Sequence, residues 1–215
     1  MHERYLRLVT TELNRRTLFK GAAGAVGAAS ALAMGGDGLF NIGFQYAQTA
    51  LAQAALTDPD ILNFALGLEH LENVMYKQIV ASGKLTGEAA DIAKKFGSFE
   101  QAHVDALTKA LTDGKYANIA KEGTYKFPDF KTQTQDDILK FLNVVEPVGV
   151  GAYTGAAKLI KDKSILGVAG AIVQVEARQL AITMALAGNK KPVSSPLSES
   201  FSVDEVTAKV KPLLG

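Results

Sequence analysis

Between Ile165 and Ala187 the chain is apolar almost throughout, yet Glu176 and Gln179 stand in its middle, in the stretch IVQVEARQLAI. A helix through this run is expected to be buried on nearly every side, and a carboxylate there is costly unless something pairs with it. The same polar pair occurs upstream. Glu100 and His103 are three residues apart in FEQAHVDAL, as Glu176 and Gln179 are, at an offset of 76. Glu69 and Tyr76, seven apart, return as Glu146 and Tyr153 at an offset of 77. An internal repeat of this kind says that two helix pairs present equivalent polar groups to one centre.

The helices themselves are legible from their punctuation. Asp58 and Pro59 precede ILNFALGLEHLENVMYKQIVA as cap and first turn, and Ser82-Gly83-Lys84 ends that helix. A second helix is expected over about 87–111, closed by Asp113-Gly114, a third over about 136–161, and a fourth over 164–186, stopped by Gly188-Asn189. The stretch 115–135 is too polar and too poorly periodic to be a core helix, so it reads as a long crossover between the second and third helices. No segment alternates with period two, and the chain is therefore expected to be all-α, a four-helix bundle with a single long crossover. Residues 191–215 read as a C-terminal tail with a short amphipathic piece, VDEVTAKVKPLL.

On a helical wheel Ile61, Ala65, Leu68, Met75 and Ile79 form one stripe of the first helix, with Glu72 near its centre and Glu69 and Tyr76 at its edge. His70 points the other way and is expected to be solvated. In the second helix Glu100 and His103 share a face with Ile92, Phe96, Phe99, Leu107 and Ala110. Pro147, next to Glu146, is expected to bend the third helix. Arg178 lies about 160° from Glu176 around the fourth helix, which points it at a neighbour or an interface rather than the centre.

Composition narrows the chemistry. There is no Cys, hence no disulfide, no thiolate metal site and no thiol nucleophile. A formal charge of +1 gives no reason to expect nucleic acid. The low aromatic share, 7%, and the many Ala and Gly residues suit closely packed helices better than a sheet sandwich. At the N-terminus, NRRTLFK (residues 14–20) is followed by the weakly apolar GAAGAVGAASALAM and, at 50–54, by ALAQA. Basic, apolar and small-residue parts in that order resemble a twin-arginine export signal. Residues 1–54 are accordingly expected to be an export segment, residues 55–190 the bundle, and the protein's place the periplasm or cell envelope.

A Glu from each of two helices and a Glu-x-x-His from each of the other two form the ligand set of ferritin-like di-iron and di-manganese carboxylate bundles. The runs ILNFALGLEHLENVMYKQI, FEQAHVDAL, EPVGVGAY and VEARQLAI resemble, in order and spacing, the bacterial ferritin-like domain family, which includes exported members described as desiccation-related. The resemblance covers about residues 57–188 and implies metal ligation by Glu69, Glu100, His103, Glu146 and Glu176. Gln179 stands where a second His is expected, and Glu72, whose counterpart in the repeat is Gly149, is an auxiliary ligand that offsets the loss. The resemblance thus implies a site for two iron ions, or manganese, in a protein that handles iron or peroxide under desiccation or oxidative stress; if it is an enzyme, it is a di-metal oxidoreductase. The expected partners are metal ions, with a homo-oligomer or an envelope protein beside them. The alternative is a metal-free ferritin-like scaffold or interaction protein.

Overall fold

The computed structural model describes residues 56–116, 118–193 and 195–215. The twin-arginine stretch and the rest of the export segment lie outside them. Helices α1 (Asp58–Ser82), α2 (Gly87–Asp113), α3 (Gln135–Ala156) and α4 (Lys163–Leu186) follow in order, then a short α5 (Val203–Val210). The helix pair α1 and α2 and the pair α3 and α4 each pack most extensively within themselves, and the pairs meet through α1 on α3 and α2 on α4. This is the all-α bundle that the spacing predicts. The crossover between α2 and α3 contains no helix among its described residues, and the one bridge joins Tyr125 to Leu214.

Local chemistry sets the boundaries. The cap of α1 is Thr57 rather than Asp58: its backbone N–H donates to Asp60 Oδ2 at 2.9 Å, closing a capping box. Asp58 is used elsewhere, accepting from the backbone N–H groups of Lys161 and Asp162 at 2.9 and 2.7 Å. It thereby ties the start of the bundle to the turn between α3 and α4. Thr134 caps α3 through the N–H of Asp137, and Asp162 caps α4 through the N–H of Ser164 at 2.7 Å. Gly83, at φ 66°, supplies the left-handed residue that ends α1. The third helix stops at Ala156, a turn earlier than its pattern suggests, and it continues through Pro147. One intrahelical hydrogen bond is lost there, next to Glu146.

Two expectations are overturned. His70 is buried, at 8% exposure, because the crossover runs over the outer side of α1: the N–H of Ala120 donates to Asn63 Oδ1 at 2.8 Å, and Glu122 pairs with Lys77 at 3.8 Å. Burial also pushes the His70 imidazole below its ordinary value. The fourth helix is not buried on nearly every side. Its inward seam is Ala169, Ile172, Glu176, Gln179 and Thr183, and only 22% of its most apolar window is covered, although length and composition would let it cross a membrane. Its outward side carries Gly167, Ala171, Ala177 and Ala185, with Leu166 and Ile182 at 38% exposure. Small side chains keep the apolar area left in water modest.

Residues 191–215, read from sequence as a tail, end in a helix that packs on α3. Val206 and Val210 are buried in the main core. The Phe201 N–H donates to the Gly151 carbonyl at 2.9 Å, and the Lys126 N–H to that of Leu213 at 2.8 Å. Gly151 and Gly155 allow this approach, since a Cβ at either would overlap Phe201.

Candidate metal centre

The repeated polar residues converge in the middle of the bundle. Glu69, Glu100, His103 and Glu176 each offer a ligand atom, and those atoms lie within 4.8 Å of one another. His103 Nδ1 is 3.1 Å from Glu69 Oε2, 3.3 Å from Glu100 Oε2 and 3.1 Å from Glu176 Oε1. Helix spacing accounts for this: the three-residue step in α2 places Glu100 and His103 side by side, and the equivalent step in α4 turns Glu176 and Gln179 inward together.

Glu146 and Glu72 are close to this group but not in it. Tyr76 donates to Glu146 Oε1, and Tyr153 donates to Glu69 Oε1 at 2.5 Å. Each tyrosine therefore serves the glutamate of the other half, an exchange that the seven-residue spacing on one helix did not reveal. Gln179 donates through Nε2 to Glu100 Oε1. The Glu72 carboxylate lies against Gly149: a Cβ there would be 2.9 Å from Glu72 Oε1 and 3.2 Å from Glu176 Oε2. Glycine at 149 is what makes room for Glu72. Arg178 is exposed and does not reach the centre.

Water is excluded by packing on both sides. Tyr76 belongs to one apolar cluster, with Leu68, Met75, Ile79, Phe96, Leu142 and Val145, and Tyr153 to another, with Leu62, Leu66, Leu107 and Ile172. Burial accordingly holds Glu72, Glu146 and Glu176 well above the usual carboxylate range, and mutual repulsion adds to it. Glu69 rises to about 7, burial outweighing its hydrogen bond to His103. At His103 burial opposes the charge, but hydrogen bonds to Glu100, Glu176 and Glu69 prevail and push the imidazole up to about 12. Both tyrosines are raised by burial and stay protonated.

These side chains fit a metal. The single hydrogen on Nδ1 serves one acceptor well, while three carboxylates crowd it. Glu146 Oε2, Glu176 Oε2 and Gln179 Oε1 are buried without a hydrogen-bond donor, and Glu100 Oε2 and Glu176 Oε1 have only the His103 Nδ1 hydrogen for which Glu69 Oε2 also competes. Burying so many acceptors around one cation is strongly unfavourable, and divalent ions would satisfy them together. Oxygen donors with one imidazole are the chemistry of iron and manganese sites rather than of thiolate-bound zinc.

A family model described as a ferritin-like domain matches residues 57–189, more than half of the chain. The chain belongs to the ferritin-like domain family. No curated protein matches it. The matched span holds all four long helices of this ferritin-like bundle and every residue of its centre.

Proposed function

We propose that this is an exported ferritin-like protein whose centre holds a pair of divalent ions, iron first among them, and disposes of peroxide or oxidises iron(II), limiting damage under drying or oxidative stress. One observation carries the reading: four buried ligands, Glu69, Glu100, His103 and Glu176, with their ligating atoms within 4.8 Å of one another. Glu146 extends the set, with Glu72 and Gln179 beside it. Two redox-active ions there would supply the two electrons that, with two protons, take hydrogen peroxide to two waters. The chain's own groups do the rest. Tyr153 Oη holds its proton on Glu69 and Tyr76 Oη holds its proton on Glu146, fixing both carboxylates. The apolar clusters keep bulk water out. Export is supported by Arg15 and Arg16 ahead of the small-residue run.

A second reading, a metal-free envelope scaffold, is favoured by the Gln179 bond to Glu100, which satisfies one acid without a metal, and by the exposed outer side of α4, which offers a partner a surface. Replacing both Glu100 and His103 with Ala separates the two. The metal reading expects loss of iron-dependent peroxide consumption by at least about a hundredfold. The scaffold reading expects no iron-dependent peroxide consumption in parent or variant, and a lower thermal stability of the metal-free variant, since Gln179 loses its acceptor and Glu69 and Glu176 lose the His103 imidazole.

A further inference from the structure

Charge is unevenly spread over the described surface. Residues 161–191 carry Lys161, Lys163, Arg178, Lys190 and Lys191, all exposed, against a single exposed acid, Asp162. That acid is occupied, accepting from the N–H groups of Ser164 and Ile165 at the start of α4, and Glu176 is buried in the centre. In the rest of the described chain thirteen lysines are matched by thirteen carboxylates that are not buried. The five cations lack such a match: among the described residues no carboxylate lies within ion-pair distance of any of them. Two stand at the start of α4 and two beyond its end. A helix of 24 residues is about 36 Å long, so the two cationic ends are several Debye lengths apart and attract an anionic surface separately.

The same side is the most apolar part of the surface. Of the eight large hydrophobic side chains exposed among the described residues, five lie between 159 and 197: Leu159, Leu166, Ile182, Val193 and Leu197. Val193 and Leu197, at 76% and 74%, are more exposed than the other six, and they follow Lys190 and Lys191 directly. Between the cationic ends the outward side of α4 carries small apolar residues, and Arg178 is its one charge. An apolar face with unpaired cations at both ends and no free acid is complementary to an anionic bilayer. Apolar side chains enter the headgroup boundary while ammonium groups meet lipid phosphates, and an Arg within the face lays its stem on the apolar surface and lifts its guanidinium to the headgroups.

We propose that α4 is a membrane-docking face, lying in the plane of a bilayer rich in anionic phospholipid, with its outer side against the lipid and Lys161, Lys163, Lys190 and Lys191 on the headgroups. The helix lies on the bilayer and does not cross it. It is long and apolar enough to cross, but its inward seam holds Glu176, Gln179 and Thr183 inside the bundle, and crossing would carry these polar groups into hydrocarbon. This goes beyond the metal reading and does not depend on it.

The test uses the full chain and vesicles. It should bind phosphatidylcholine vesicles containing about 30% phosphatidylglycerol at least about tenfold more tightly than phosphatidylcholine alone, and release in about 0.5 M salt. The chain has no cysteine, so Ala177→Cys, on the outer side of α4, and Lys121→Cys, on the crossover, each take a fluorophore at one place. Nitroxide-bearing lipid should quench the fluorophore at 177 and spare the one at 121. Lys190→Gln with Lys191→Gln should weaken binding by at least about tenfold, at a factor of about five per charge, whereas Lys121→Gln with Lys131→Gln should change it less than about twofold. Equal binding to neutral vesicles, binding without quenching at 177, or a Lys190 and Lys191 variant that binds as the parent does would overturn the proposal. So would shielding of position 177 that appears without lipid and grows with protein concentration, the mark of a second copy on α4.

Discussion

The metal-free protein should lose stability as the pH rises from 5 to 8, by on the order of 10 °C in melting temperature, and divalent ions should reverse that trend. The sign comes from the proton inventory. Glu69 titrates at about 7 in the folded chain against 4.5 ordinarily, so between those values the folded state holds a proton that the unfolded state has released. Its contribution is complete below the lower value and is lost as the pH climbs through the upper one. Glu72, Glu146 and Glu176 are shifted in the same direction and extend the loss to higher pH. His103 acts likewise: its charged form, favoured up to about 12 when folded and 6.5 when not, also binds more protons in the folded state across neutral pH. Each excess proton is worth about 1.4 kcal/mol per pH unit.

Metal ions replace those protons. They bind more tightly as the pH rises and, at a thousandfold excess over the dissociation constant, add about 4 kcal/mol. Calorimetry at pH 5, 6.5 and 8, with and without iron(II) or manganese(II), reads both effects. A metal-free melting temperature that is flat or rises with pH would contradict the buried acid cluster.

Gly155→Ala should release the C-terminal segment from the bundle and lower the melting temperature by about 10 °C. The added methyl would overlap the backbone carbonyl of Phe201, which cannot rotate away as the end of a side chain would. Undocking exposes Val206 and Val210, both buried in the parent, at about 1.5–3 kcal/mol each. It also frees the Leu213 carbonyl from the Lys126 N–H. Limited proteolysis should then cut between α4 and α5, where the parent resists. Gly167→Ala is the matched control. A Cβ there meets nothing within 4 Å, so in a helix interior it should be neutral or stabilise by up to about 1 kcal/mol. Equal effects from the two substitutions would mean that the close contact at Phe201 is not what constrains residue 155.

Much of this was legible because it depends on spacing along single helices. The offsets of 76 and 77 place four polar pairs on four inward faces, and caps and glycines mark the ends to within a turn. What sequence missed depends on which helix lies against which. His70 looks solvated on a wheel of α1 and is buried because a crossover 50 residues downstream covers it. Apolar composition says that α4 is buried, but a helix rich in Gly and Ala leaves one side open at small cost. The cross-pairing of Tyr76 with Glu146 and Tyr153 with Glu69 is a property of the α1 and α3 packing. Gly149 beside Glu72 had a signal in the repeat, a glycine where the other half has Glu72, but only the structure shows the carboxylate filling the gap.

The most direct test of the central claim is an anomalous-scattering map of crystals grown from protein purified without chelator and then loaded with iron(II) or manganese(II). Density is expected within coordination distance of His103 Nδ1 and the carboxylates of Glu69, Glu100 and Glu176, with a second peak on the Glu146 side. An empty centre, with less than about 0.2 metal per chain by elemental analysis after loading, would contradict it.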